Sequence, residues 1–83
     1  MSKLKKLLGK VKNNPTNVRF DDLCKLTESF DFILRNKRGS HCYYEKEDVW
    51  EILNYQDYDG MAKPYQVKQF LKVIEKYKME AMI

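Results

Sequence analysis

At 83 residues, 43% of them apolar and 13% aromatic, the chain has material for one domain, residues 1–83, with one modest core, and leaves no room for a second. A charged fraction of 34% requires nearly every element to keep a solvated face. Sixteen Lys and Arg against twelve Asp and Glu give a formal net charge of +4, which favours a polyanionic partner mildly and does not by itself point to nucleic acid.

The first predicted element is a helix over about residues 2–12. Ser2 is its cap, Leu4, Leu7, Leu8 and Val11 recur at i, i+3, i+4 and i+7, and Lys3, Lys5, Lys6, Lys10 and Lys12 occupy the other faces. Asn13-Asn14-Pro15 ends it, because proline offers no amide donor and disfavours the helical conformation in the residue before it. Asn17 is the expected cap of a second helix beginning near Arg19 or Phe20. Asp21 and Asp22 suit that helix's positive end, Phe20, Leu23, Leu26, Thr27 and Phe30 line one side, and it stops near Asp31.

From Asp31 the period becomes two. Phe32 and Leu34 alternate with Ile33 and Arg35, a turn follows over Asn36 to Gly39, and His41 and Tyr43 then alternate with Cys42 and Tyr44, so the segment reads as a hairpin. The acidic stretch Glu45-Lys46-Glu47-Asp48 is the next connection. Val49 to Gln56, rich in branched and aromatic residues, is a third strand, and Asp57-Tyr58-Asp59-Gly60 is a loop. Pro64 suits the first position of a last helix carrying the stripe Tyr65 or Val67, Phe70, Leu71, Ile74 and Tyr77.

Three strands joined by short connections form an antiparallel meander, since parallel pairing needs crossovers that this order lacks. The expectation is an α+β, two-layer domain in the order α-α-β-β-β-α, with a three-stranded antiparallel sheet, the helices on one face and the other face open. Cys24 and Cys42 form no C-x-x-C pair and are expected to be reduced thiols. The lysine-rich start from Lys3 does not read as a secretory signal, and no stretch approaches the roughly 18 apolar residues of a membrane span. A cytoplasmic location and no membrane partner are therefore expected.

Arg35-Asn36-Lys37-Arg38-Gly39-Ser40-His41 places the only histidine directly after a glycine turn and a basic run. Imidazole is the side chain whose ordinary titration lies near neutrality, and clustered cations can hold a phosphate. Taken alone, His41 reads more readily as a solvated strand residue than as a catalytic one. A zinc site from His41, Cys42 and Cys24 matches no familiar ligand spacing, so no metal is expected.

The run from Ser29 to His41, in which a helix ends, a strand carries an arginine and a basic residue precedes Gly-Ser-His, resembles the signature of HicA toxins. Ala62 to Leu71 resembles the opening of that family's final helix, so the likeness covers about residues 19–77, with the first helix as an addition. The resemblance implies a fold like a double-stranded-RNA-binding domain and a toxin of a bacterial type II toxin–antitoxin pair. It implies an mRNA endonuclease working without a metal or small-molecule cofactor, with mRNA as substrate and a HicB-type antitoxin as partner. His41 would be the catalytic general acid or base, with Gly39 and Ser40 at the family's glycine and serine. The chain departs from the family at Cys42 and in the acidic stretch Glu45 to Asp48.

Cleavage by attack of a ribose 2′-hydroxyl on the adjacent phosphate needs a base, a proton donor for the leaving oxygen and cations for the developing charge. Arg35, Lys37 and Arg38 are candidates for the phosphate clamp, with Ser40 orienting the phosphate or the ring. Lys63 and Lys68 are further candidate RNA contacts, although the lysines of the last helix read equally as a solvated face. The second proton carrier stays open between Tyr43, Lys63, water and the target complex. The alternative is a non-catalytic RNA-binding or protein-interaction module with the same fold.

Overall fold

The computed structural model describes residues 3–82, so the expected Ser2 cap lies outside the described residues. Three helices, α1 (Lys3–Asn13), α2 (Phe20–Ser29) and α3 (Pro64–Lys76), accompany four strands, β1 (Ile33–Arg38), β2 (His41–Glu45), β3 (Leu53–Tyr58) and β4 (Met61–Ala62). A short 3-10 turn, Met79–Met82, follows α3. The strands form one antiparallel sheet in sequence order. The α+β class and the antiparallel meander thus hold, but the sheet has four strands where three were expected.

The extra strand follows from the Asp59-Gly60 turn. Both residues have positive φ, 51° and 81°, the pairing that closes a two-residue hairpin with the twist of its strands. β3 therefore runs on to Tyr58 and folds back, so that Asp57 pairs with Ala62 and Tyr58 with Met61. The expected loop over residues 57–60 is the end of one strand and a tight turn. β3 also begins later than expected, at Leu53, because Val49 to Glu51 are drawn toward α3. The Trp50 amide donates to Tyr77 Oη, while Glu51 accepts from Lys76 Nζ and Tyr77 Oη.

The cap of α2 is another correction. Arg19, not Asn17, precedes the helix, in extended conformation and without a side-chain capping bond. Arg19 bridges to Met61, the Ala62 amide donates to Val18 O, and the Phe20 amide donates to Gly60 O at 2.9 Å. The sheet edge thus supplies the acceptor that a capping side chain would otherwise provide.

The core lies between the sheet and helices α2 and α3. Alternation turns Cys42 and Tyr44 of β2 and Leu53 and Tyr55 of β3 inward, onto Leu23, Leu26 and Phe30 of α2 and Val67, Phe70 and Ile74 of α3. Leu8 and Val11 of α1 join the same core. Burying two tyrosines requires partners for both hydroxyls. Tyr44 Oη donates to Glu28 Oε2 at 2.6 Å. Thr27 Oγ1 gives its proton to Leu23 O, so Tyr55 Oη is the donor in its 2.7 Å bond to Thr27. Of the other aromatics, Tyr43 is half-buried, and Trp50 and Tyr58 are exposed. Among the described residues no helix is long and apolar enough to cross a membrane.

Candidate functional site on the open face of the sheet

The alternation that buries Cys42 and Tyr44 sends His41, Tyr43 and Glu45 to the open face. On β3 it sends Asn54 and Gln56 there. His41 opens β2 directly after the two-residue turn Gly39-Ser40, in which only Gly39 has positive φ, 57°. A side chain at that position pays a steric penalty for the left-handed backbone, which glycine avoids. The Asp57 amide donates to Ser40 O at 2.9 Å, fixing the turn to β3.

Around His41 the register assembles a small polar site. Arg38 on β1 and Gln56 on β3 are its direct cross-strand partners and share its face. Tyr43 stacks beside the imidazole, with ring centroids 6.4 Å apart and planes inclined by 22°. Nδ1 of His41 lies 3.3 Å from Asn54 Oδ1. In the neutral imidazole, an Nδ1 that donates to this carbonyl oxygen leaves Nε2 as the acceptor nitrogen. Gln56 is itself held from beneath: β4 ends at Ala62, and the buried Gln66 takes over, its Oε1 accepting from the Gln56 amide at 2.8 Å.

The predicted site residues divide. His41, Arg38, Gly39 and Ser40 come together at one end of the sheet. Lys37 does not join them: it pairs with Cys42 and so projects to the helix side, where its charge favours the Cys42 thiolate against the stronger opposing effect of burial. Arg35 lies at a register shift between Leu34 and Asn36 and forms an ion pair with Glu45 at 3.2 Å, toward the opposite end of the strand. Lys63 holds its Nζ over the Tyr58 ring, 5.9 Å from the centroid. Lys68 stands exposed on α3.

The zinc alternative does not assemble, because His41 faces outward while Cys42 is buried on the helix side. Burial raises both thiols, Cys24 to about 11, so each is held as the neutral thiol.

Asn54 and Gln56 were not singled out from the sequence. Their signal was there: two amides alternating with Leu53 and Tyr55 within a strand mark a face that is polar yet not charged.

Comparison with protein-family models, with curated proteins and with solved structures gives no match to this chain. The arrangement itself offers a half-buried imidazole with Nδ1 beside an amide oxygen, a guanidinium directly across the strand and an aromatic ring alongside.

Proposed function

We propose that the chain is a HicA-type toxin, an endoribonuclease that binds and cleaves mRNA in the cytoplasm and is neutralised by a HicB-type antitoxin. The observation that carries this reading is His41 on the open face with Nδ1 engaged by Asn54 and Arg38 as its cross-strand partner. In this account Nε2 accepts the proton of the attacking 2′-hydroxyl, and Arg38 holds the phosphate on which negative charge builds. Arginine suits that task better than lysine because its planar fork can grip two phosphate oxygens. Tyr43 offers a flat surface for an unpaired base, the feature through which single-stranded RNA is commonly held. The segment from α2 through β3 to α3 is read as the helix–sheet–helix layout of a double-stranded-RNA-binding domain, with β4 and α1 as additions.

The mechanism fixes the products. Incubation of the purified chain with single-stranded RNA should yield fragments ending in a 2′,3′-cyclic phosphate, each followed by a fragment beginning with a 5′-hydroxyl. The same RNA carrying 2′-O-methyl groups throughout should stay intact. Binding without cleavage would favour the non-catalytic module, and cleavage of the methylated RNA would exclude the 2′-hydroxyl as nucleophile.

A further inference from the structure

Strand β1 pairs with β2 on one side and with no described residue on the other, and all six of its residues are exposed. In an antiparallel ladder every second residue turns its N–H and C=O away from its partner, so the outer side of β1 presents donors and acceptors at strand spacing. Near one end of this edge lies a depression in which Ile33, Val49, Trp50 and Ile52 are flanked by charged side chains. Trp50 is 91% exposed. Near the other end stand Lys37 and Arg38, neither of which forms an ion pair with a described carboxylate.

The tryptophan is held out by a fixed backbone. Its amide donates to Tyr77 Oη at 3.2 Å, and the adjacent Glu51 accepts from Lys76 Nζ at 2.8 Å and Tyr77 Oη at 2.7 Å. A large indole presented in this way, beside two exposed isoleucines, has the character of the pre-set aromatic anchors that dominate protein interfaces. Glu45 and Glu47 line the same depression, where Arg35 and Lys46 balance them, so it offers a phosphate backbone no net positive charge. A second copy of β1 would bring three further cations to an edge that already carries Arg35, Lys37 and Arg38. A strand with an apolar half over the depression and an acidic half beside Lys37 and Arg38 meets neither objection.

We infer that the β1 edge and the Trp50 depression form a docking site for an extended acidic polypeptide segment of a partner protein, which adds to the sheet as a further strand. Its apolar side chains lie against Ile33, Trp50 and Ile52, and its carboxylates lie beside Lys37 and Arg38. The site shares Arg38 with the proposed phosphate clamp but makes no use of His41, and it stands whether or not His41 is catalytic.

The test is a titration of the isotope-labelled full chain, followed by amide and indole resonances. The probe is a blocked, strand-length peptide, one half alternating valine with threonine and the other glutamate with threonine, used in both chain orientations. One orientation should move the amides of residues 33–38 and the indole N–H of Trp50, the only tryptophan. Replacing the peptide's glutamates by lysine, or making Trp50→Ala or Lys37→Glu in the chain, should each weaken binding about tenfold or more. Both substituted residues, Lys37 and Trp50, are exposed, and unchanged spectra elsewhere would verify that the variants fold. No movement at residues 33–38 and Trp50 with either orientation, or equal binding of the lysine peptide, overturns the inference. A short oligouridylate titrated in parallel should leave the Trp50 indole unmoved; if it shifts that resonance and displaces the peptide, the depression is an RNA site and the inference falls.

Discussion

His41 Nδ1 and Asn54 Oδ1 lie 3.3 Å apart across the β2–β3 ladder, joined diagonally, because His41 pairs with Gln56 while Asn54 pairs with Tyr43. Under the proposed mechanism this bond would hold the proton on Nδ1, so that Asn54 would act through His41. Asn54→Ala should lower kcat for RNA cleavage about two- to tenfold, the equivalent of one neutral hydrogen bond, with KM nearly unchanged. A matching rise in KM with kcat preserved would show that Asn54 contacts the RNA instead.

Arg38 and Lys37 are neighbours in sequence on opposite sides of the sheet, as their partners His41 and Cys42 require. Only Arg38 shares the face of the proposed phosphate. Arg38→Ala should weaken RNA binding and reduce the slope of log affinity against log salt by about 0.7, the loss of one phosphate contact on a single strand. Lys37→Ala should leave that slope nearly unchanged. Equal effects of the two substitutions would mean that RNA crosses the β1 edge rather than the open face.

The Tyr55 hydroxyl is buried and donates to Thr27 Oγ1 at 2.7 Å. Tyr55→Phe should cost about 1 kcal/mol of stability by urea unfolding, since Thr27 keeps its own bond to Leu23 O and only an acceptor site is left empty. Thr27→Val strands the tyrosine hydroxyl in the core and should cost more, about 1–3 kcal/mol. The reverse order would place the proton of that pair on Thr27.

The helices and the first hairpin were legible because strong periodicity and the Gly39 turn agree with where the chain packs, whereas the alternation of β2 left open which of its faces turns inward. The fourth strand was not, because Met61–Ala62 is only two residues long and carries no alternation of its own. Its one local sign was Asp59-Gly60, which marks a tight hairpin as well as a loop. Asn17 failed as a cap because a tertiary contact, Gly60 O to the Phe20 amide, replaced a local one. At the candidate site, His41 was singled out by its place after Gly39-Ser40, but grouping Lys37 with Arg38 ignored that successive strand residues point to opposite faces. Asn54 became visible only once the register of β2 on β3 was known.

Burial holds the Cys24 thiol up at about 11, against an ordinary value of 9.0, with a hydrogen bond involving Tyr44 opposing the shift in part. Between those values the unfolded chain gives up the proton while the folded chain keeps it. The contribution is therefore fully present below pH 9.0 and is lost as pH rises toward 11. Burial of Tyr44 and Tyr55 acts in the same direction. The urea midpoint should fall across this window, and Cys24→Ala should make the fall shallower; an unaltered pH dependence in that variant would contradict the burial of the thiol.

Cleavage and binding measured together on His41→Ala address the central claim most directly. His41 is only partly buried and fills no part of the core, so the variant should fold and should bind single-stranded RNA within a few-fold of the parent. Its cleavage rate should fall by about two orders of magnitude or more, the usual contribution of a positioned acid–base group. Cleavage at the parent rate by the folded variant would remove His41 from the chemistry and, with it, the assignment of the open sheet face as a nuclease site.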